Sequence, residues 1–452
     1  MKIKLIFYLT FALAVTMASC SKDDPAPSTQ SVSKEIKSFV LGTLNPAVTA
    51  TIDASAKTIK AELPAGTDLT KLSPTITLAE KATVSPATGI VQDFSKPVTY
   101  TVTAEDGSTQ VYTVTLTIQN NGTVFLGNLG GLYALDAITG AKKWVFETEN
   151  FIDGTPTVAN GIVYFTSWDK KLYALDVVTG EKKWEFLHGM GQSFWSPMVA
   201  DGMIYFGGDP YFYALDAATG AKKWEFKGDE TYTFEASPTV VNGVVYASLR
   251  GTAFSNQGVG TFALDAKTGA KIWTKPTGVW VTESSPAVVD NIVYTGSEGD
   301  GLLAFDATTG AKKWQFKDVS CAISSPTVFN GMVYIGSGTF GTGNDKLYAL
   351  DAASGDKKWE FPTPDGESDY SSPIVANGVV YIGAGSTLYA VDAASGAKKW
   401  EAKPEEHTLI YSGAVVAMDL VYIGIGKKVY AFDAANGVKK WEFLSEKGFN
   451  QS

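Results

Sequence analysis

The sequence predicts an all-β protein in which a β-sandwich precedes an eight-bladed β-propeller. Two observations carry this prediction. A ten-residue phrase, in which an apolar residue and Asp lead through Gly to Trp, usually by way of two lysines, occurs eight times at spacings of 40 to 49 residues. Ahead of these copies lies a segment of alternating apolar and polar residues that lacks the phrase. Repeats of this period built from short strands are typical of propellers, with one blade for each repeat.

Each repeat predicts four strands, which we label a to d from the innermost to the outermost. A typical copy reads Ser-Pro-Thr-Val-x-x-Asn-Gly, Val-Val-Tyr-x-Gly-Ser, Leu-Tyr-Ala-Leu-Asp and Lys-Lys-Trp-Glu-Phe. Asn-Gly suits a tight a–b hairpin, and Asp with Gly suits the c–d turn. The Trp opens strand d, where its ring can pack on the next blade, and the lysines protect an exposed edge. The phrase is identified by Asp136, Asp176, Asp216, Asp265, Asp306, Asp351, Asp392 and Asp433.

The first 19 residues have the pattern of a secretory signal, with Lys2 and Lys4 before an apolar run. The signal ends in Met-Ala-Ser-Cys, which resembles a bacterial lipobox and implies that Cys20 is lipidated and becomes the mature N-terminus. Residues 20–33 predict a tether. Its start, Ser-Lys-Asp-Asp, resembles the acidic export tag of Bacteroidetes-type surface lipoproteins. We therefore expect a lipid-anchored protein of the outer membrane, exposed at the surface, with the periplasmic face as the alternative.

Residues 34–118 predict an immunoglobulin-like β-sandwich. Alternating stretches at Val98–Ala104 and Gln110–Ile118 flank an Asp-Gly turn, which is a hairpin signal. The module resembles one common at the N-terminus of Bacteroidetes surface lipoproteins, and we interpret it as a spacer or accessory binding domain. Residues 119–452 then form the predicted propeller, whose first innermost strand is expected at Thr117–Gly122.

The charge of the chain bears on its partners. Loss of Lys2 and Lys4 with the signal takes the formal net charge from −10 to about −12. An acidic protein of this kind is a poor ligand for nucleic acid or anionic lipid. We therefore expect no nucleic acid partner, and contact with the membrane only through the lipid anchor.

The repeat phrase LYALDAxTGxKKW resembles the tryptophan-docking motif of the PQQ-like propeller superfamily. That superfamily includes quinoprotein dehydrogenases and the outer-membrane assembly lipoprotein BamB, so the resemblance implies the fold rather than an activity. Quinoproteins of the alcohol dehydrogenase type carry adjacent cysteines near their cofactor. This chain has only Cys20 and Cys321, and its only histidines are His188 and His407. We therefore expect no cofactor, no metal site and no enzymatic activity.

The candidate binding residues lie where the repeats differ. The b–c turns and d–a connections share one face, here called the variable-loop face, and they collect aromatic and acidic residues, among them Asp169, Tyr211, Tyr232 and Phe234. Exposed rings beside carboxylates can bind sugars or a protein partner. One register, two residues before the Ser-Pro position, is expected to surround the axis and holds Asp153, Phe194, Glu235, Glu283, Ile323, Tyr370 and Tyr411. The predicted ligand-binding residues are Trp168, Trp195, Glu235, Trp280, Glu283, Tyr370 and Tyr411.

These observations predict a lipid-anchored envelope binding or scaffold protein whose variable-loop face holds a protein or a polysaccharide. The first alternative is a BamB-like factor for assembly of outer-membrane proteins, against which the acidic tag and the additional sandwich domain count. The second alternative is an enzyme, either a quinoprotein or a glycan-active protein in which acids such as Glu235 and Glu283 act as a pair.

Overall fold

The computed structural model describes residues 30–64, 67–118, 122–128, 130–188, 195–208, 210–227, 232–234, 236–251, 260–276, 284–297, 299–319, 324–337, 345–363, 371–404, 410 and 413–445. The chain divides into two compact units, Met1–Asn120 and Asn121–Ser452. Within the described residues nearly all regular structure is β, and the helical element is a short 3-10 turn at Leu69–Lys71. That part of the chain contains no helix with the length and apolar character needed to cross a membrane.

The N-terminal unit is a sandwich of two sheets. One sheet has the order β2-β1-β5, and the other has the order β3-β4-β8-β7-β6. The predicted hairpin is confirmed, since β7 and β8 pair antiparallel from Val98 opposite Val114 to Thr103 opposite Thr109. Buried aromatic rings fill the space between the sheets, with Phe39 and Tyr100 in edge-to-face contact at 5.6 Å. The strands are β1 (Ile36–Leu41), β2 (Val48–Thr49), β3 (Thr51–Asp53), β4 (Thr58–Leu63), β5 (Thr75–Leu78), β6 (Thr83–Ser85), β7 (Val98–Thr103) and β8 (Thr109–Ile118).

The C-terminal unit is a succession of antiparallel sheets, each formed by one sequence repeat, and this confirms the predicted propeller fold. The first four sheets are β9 (Thr123–Asn128), β10 (Gly131–Asp136) and β11 (Lys142–Glu147); β12 (Thr157–Ala159), β13 (Ile162–Ser167), β14 (Lys171–Asp176) and β15 (Lys182–Leu187); β16 (Met198–Ala200), β17 (Met203–Gly208), β18 (Tyr211–Asp216) and β19 (Lys222–Lys227); and β20 (Tyr232–Thr233), β21 (Thr239–Val241), β22 (Val244–Gly251), β23 (Gly260–Asp265) and β24 (Lys271–Pro276).

The remaining sheets repeat the same order of strands. They are β25 (Ala287–Val289), β26 (Ile292–Ser297), β27 (Gly301–Asp306) and β28 (Lys312–Phe316); β29 (Thr327–Phe329), β30 (Met332–Ser337), β31 (Lys346–Asp351) and β32 (Lys357–Pro362); β33 (Ile374–Ala376), β34 (Val379–Ala384), β35 (Thr387–Asp392) and β36 (Lys398–Ala402); and β37 (Val415–Ala417), β38 (Leu420–Ile425), β39 (Lys428–Asp433) and β40 (Lys439–Leu444).

One expectation about the start of the propeller differs in the structure. Thr117 and Ile118 belong to β8 of the sandwich, where they pair in parallel with Glu62 and Leu63 of β4. They therefore complete the N-terminal unit rather than begin the first blade. The rest of that expected innermost strand includes residues 119–121, which lie outside the described residues, so the count of eight blades stays a prediction.

The repeat phrase joins each sheet to the next. All eight repeat tryptophans donate their indole N–H to a backbone carbonyl of the following sheet, over 2.9–3.3 Å. The repeat Gly lies under that ring at positive φ; a Cβ on Gly220, for example, would be 2.7 Å from Trp184. The last sheet contacts the first in the same way, because Trp441 and Tyr422 both donate to the Ala137 carbonyl. The Trp and Gly are therefore two halves of one inter-blade contact.

The paired lysines are matched by acids of their own blade. The second lysine of the pair reaches the repeat Asp in six blades, as in Lys223 with Asp216 at 3.2 Å. The first reaches the Glu after the Trp in five blades, as in Lys222 with Glu225 at 2.7 Å. These local pairs fit the predicted role of the lysines on the outer strand edge better than a free basic ring.

Candidate functional site

The base of the variable-loop face is a chain of hydrogen bonds that runs from blade to blade. The backbone N–H at each Ser-Pro position donates to the hydroxyl of the equivalent serine in the next blade. These bonds are Thr155 to Ser196, Ser196 to Ser237, Ser237 to Ser285, Ser285 to Ser325 and Ser325 to Ser372, over 2.8–3.0 Å. The innermost strands of successive sheets are also in contact. The predicted register begins two residues upstream of this chain.

Asp153 is the one member of that register within the described residues. It is half-buried in the connection between β11 and β12. Burial raises the pKa of Asp153 to about 6, and the Trp168 indole N–H opposes this shift by favouring the charged carboxylate. One carboxyl oxygen, Oδ1, is buried and accepts no hydrogen bond from the part of the chain that the structure describes. Strongly shifted carboxyl pKa values cluster at functional sites, which makes Asp153 a candidate functional residue.

Trp168 is held against Asp153 by the turn between β13 and β14. Its backbone N–H donates to the Phe151 carbonyl over 2.8 Å. The Phe151 and Trp168 rings then meet edge to face, with their centroids 5.2 Å apart. The following residue, Asp169, accepts a hydrogen bond from the Tyr173 hydroxyl over 2.8 Å, which fixes the far side of the turn. Trp168 is half-buried as a residue, and its indole nitrogen is buried.

Trp195 approaches the same segment from the next blade. The Trp195 carbonyl accepts a hydrogen bond from the Thr166 hydroxyl over 2.9 Å. Gly154, next to Asp153, lies so close that a Cβ there would be 2.7 Å from the Trp195 carbonyl carbon. Trp195 is half-buried, and its buried indole N–H has no hydrogen-bond acceptor among the described residues. Such a donor costs free energy unless a ligand or water supplies an acceptor.

Two of the predicted ligand-binding residues thus lie near Asp153–Gly154: Trp168 through its indole and Trp195 through its backbone. The other five lie outside the described residues, and their roles stay predictions: Glu235, Trp280, Glu283, Tyr370 and Tyr411. Cys20 also lies outside the described residues, and its lipidation stays a prediction.

The prediction that Phe234 is an exposed loop aromatic is wrong. Its side chain is 4% exposed and packs between Phe212 and Phe262, because the two sheets need a large apolar group there.

Phe151 was not predicted as part of the site. The sequence gives only a weak indication of its role, because the other repeats have no aromatic residue at the equivalent position of this connection.

A second unpredicted feature is His188, at the end of β15. It is fully buried beside Gly208 and Phe206, and neither ring nitrogen has a hydrogen-bond partner within the described ranges. Burial lowers the pKa of His188 to about 4.

The described residues do not fit a quinone cofactor of the alcohol dehydrogenase type or a metal centre. The two cysteines are 301 positions apart in the sequence and cannot form an adjacent pair. Where side chains are described, no group of three or more His, Cys, Asp and Glu lies close enough to hold a metal ion. We derive no chemistry through such groups, and the expected lack of a cofactor stays a prediction.

The fold and this site define a class of protein: a β-propeller with aromatic and acidic side chains grouped on its loop face. A family model described as outer membrane protein assembly factor BamB matches residues 104–248 and 214–443. These matches span well over half of the sequence, and the chain belongs to this family of PQQ-like repeat proteins. A second model, described as SGBP, N-terminal, matches residues 36–116. No curated protein matches the chain.

Solved structures show the same fold. BamB from Moraxella catarrhalis is 20% identical, with a TM-score of 0.55 over 74% of this chain and 94% of that chain. The computationally designed protein Ika8 is 15% identical, with a TM-score of 0.57 over 73% and 93%. Quinohemoprotein alcohol dehydrogenase ADHIIG from Pseudomonas putida HK5 is 19% identical, with a TM-score of 0.54 over 66% of each chain. One fold thus occurs in an assembly factor, a designed protein and an enzyme, so activity does not follow from it.

Proposed function

We propose that this protein is a cell-envelope binding protein whose variable-loop face holds a glycan. The observation that carries the proposal is the group formed by Trp168, Asp153 and Trp195. Blade docking uses the eight repeat tryptophans and needs neither of these two. Half-buried indoles give flat apolar surfaces for sugar rings, while the Asp153 carboxyl and the Trp195 N–H supply an acceptor and a donor for hydroxyl groups. The match of the N-terminal unit to the SGBP model, a class of surface glycan-binding proteins, supports the same role.

This proposal predicts that Trp168→Ala weakens glycan binding by roughly 1–3 kcal/mol, the usual loss for an aromatic anchor. Affinity electrophoresis through gels that contain xyloglucan, mannan, arabinan, pectin or starch measures the retardation of each variant. Trp195→Ala should behave in the same way. The matched control is Val178→Ala, which changes an apolar residue that is 77% exposed in a c–d turn on the other face.

The outcomes separate a binding role from a structural one. Retardation by at least one polysaccharide, lost in both Trp variants but retained in the Val178 variant, supports the proposal. If none of these polysaccharides retards the wild-type protein, the proposal that this face binds such glycans is contradicted. If the Trp variants melt far below the wild type, the two rings are part of the core instead.

The second candidate is a factor that binds other envelope proteins during their assembly. The observation that favours it is the family match over residues 104–443, which carries the BamB description. In that case the same aromatic group would receive an extended segment of an outer-membrane protein. Photocrosslinking from position 168 in cells distinguishes the two candidates, because a protein adduct of defined mass forms only with a protein partner. We propose no catalytic step for either candidate, since the pair Glu235 and Glu283 lies outside the described residues.

We also propose that a lipid on Cys20 holds the protein at the outer membrane. The lipobox-like Met-Ala-Ser-Cys supports this anchor. Cys20→Ala is therefore expected to move the protein from the membrane pellet to the soluble fraction after a high-salt wash. A Cys321→Ala variant is the control and should stay in the pellet. Protease treatment of intact cells then tests exposure at the outer surface. Sedimentation of the Cys20 variant with the membranes would contradict the lipid anchor.

A further inference from the structure

A groove lies on the face opposite the variable loops, between the fourth and fifth blades. It encloses a cavity of about 490 Å³, which is within the range of small-ligand sites. The apolar part of its lining comes from Ile272 of β24, Val244 of β22 and Val288 and Val289 of β25. The polar part comes from the two a–b turns and includes Asn242, Asp290 and Asn291. An apolar lining with a few convergent polar groups is typical of binding sites.

Two departures from an otherwise regular repeat meet in this groove. The first is Ile272, which stands where the other seven copies of the phrase have the second lysine of the pair. Ile272 is 47% exposed, and it lies between Lys271 and Trp273 on the outer strand of its blade. The second is the turn Asp290-Asn291, which replaces the Asn-Gly of four other blades. Both residues of this turn have positive φ, so the turn keeps its shape without glycine.

Both departures make the charge of the groove more negative. In six other blades the second lysine brings a cation to the repeat Asp, at 3.0–3.8 Å. Ile272 removes that cation, and Asp290 adds a carboxylate in place of an amide. Asp290 is exposed, and its carboxylate makes no hydrogen bond or ion pair with the described residues. Hydrogen bonds from Thr268 lower the pKa of Asp265, and the charge of nearby Lys267 lowers it slightly further. Lys267 does not line the cavity, where Asp290 is the charged side chain.

We propose that this groove binds an amphipathic cation, that is, an ammonium or guanidinium group carried on an aliphatic or aromatic body. The apolar body replaces water on Ile272, Val288 and Val289, and the cation pairs with the Asp290 carboxylate. In six other blades the chain itself places a lysine at the position of Ile272, where it pairs with the repeat Asp of its own blade. A bound cation would lie in the same region but would pair with Asp290, which lines the cavity. A free organic amine and the lysine side chain of a peptide both combine a cation with an apolar body, and either could occupy the groove. This site is independent of the variable-loop face.

The test uses three probes of equal size and different charge: 4-phenylbutylamine, 4-phenylbutanol and 4-phenylbutyrate. Saturation-transfer NMR and calorimetry on the full mature chain measure their binding. The amine is expected to bind saturably, and the alcohol about two- to fivefold more weakly, because the alcohol still donates a hydrogen bond to Asp290 but forms no ion pair with this exposed carboxylate. The acid is expected to bind more weakly still, because two carboxylates repel each other. A capped peptide, acetyl-Leu-Lys-Leu-amide, distinguishes the two sources. Competition with the amine assigns the site to lysine side chains, and lack of competition assigns it to free amines.

Two variants restore the repeat and should therefore fold. Ile272→Lys returns the lysine of the other blades and is expected to abolish amine binding. Asp290→Asn is expected to remove the preference for the amine over the alcohol. Val178→Lys, which adds the same charge to an exposed turn of another blade, is the matched control and should bind the amine like the wild type. The proposal is overturned if the amine does not bind saturably, if the three probes bind equally, or if Ile272→Lys binds it unchanged.

Discussion

Replacing Trp441 with alanine is expected to lower the free energy of unfolding by about 3–5 kcal/mol, as truncation of a buried tryptophan does. Trp441 is 9% exposed and connects the last sheet to the first. Its indole N–H donates to the Ala137 carbonyl over 3.1 Å, and its ring covers Gly140 at a distance that leaves no room for a Cβ. The variant loses both the apolar contact and the hydrogen bond at the point where the chain closes.

Urea unfolding followed by circular dichroism measures this loss. Trp273→Ala serves as a comparison, because Trp273 makes the same contact with Ala307 inside the series of blades. Trp168→Ala is the control, since Trp168 takes no part in docking between blades. Equal losses in the first two variants and a small one in the control are expected. A Trp441 variant as stable as the wild type would show that the last and first sheets are held together by other contacts.

Replacing Asp153 with asparagine is expected to stabilise the protein at pH 8 by about 2–3 kcal/mol. Burial raises the pKa of this carboxyl from 3.8 to about 6 in the folded chain, and each pKa unit corresponds to about 1.4 kcal/mol. An acid with a raised pKa favours the folded state at low pH. That contribution is complete below pH 3.8 and is lost as the pH rises through about 6. Asparagine does not ionise and therefore avoids the loss.

Urea unfolding of both proteins at pH 4 and pH 8 checks this sign, because the gain should be present at pH 8 and nearly absent at pH 4. Comparison with the wild type at each pH is necessary, since His188 acts in the opposite direction. Its pKa is lowered to about 4, so its contribution is complete above pH 6.5 and is lost as the pH falls towards 4. A variant with the same stability as the wild type at both pH values would show that Asp153 is well solvated. A gain at pH 8 together with weaker ligand binding would indicate that the acid is kept for function.

Much of the fold could be predicted because its determinants are local. The Asn-Gly turns, the Asp and Gly of the c–d turn and the alternation of β7 and β8 act over a few residues. The repeat made the docking role of Trp predictable as well, since identical blades must make identical contacts. The prediction for Phe234 was wrong because the position of this side chain is not determined locally. Whether an aromatic residue in a connection faces solvent or a neighbouring sheet depends on residues far away in sequence, here Phe212 and Phe262.

The sequence by itself determined the strands, the repeat and the face on which Trp168 and Trp195 lie, because period and turn chemistry are written along the chain. The tertiary structure alone decided that Asp153 contacts Trp168 in surroundings that raise its pKa, since burial is a property of the packed chain. It also decided that Ile272 and Asp290 share one groove. In the sequence, Ile272 and Asp290 are separate departures from the pattern of two different repeats. They meet only because an outer strand of one blade lies beside the inner turn of the next.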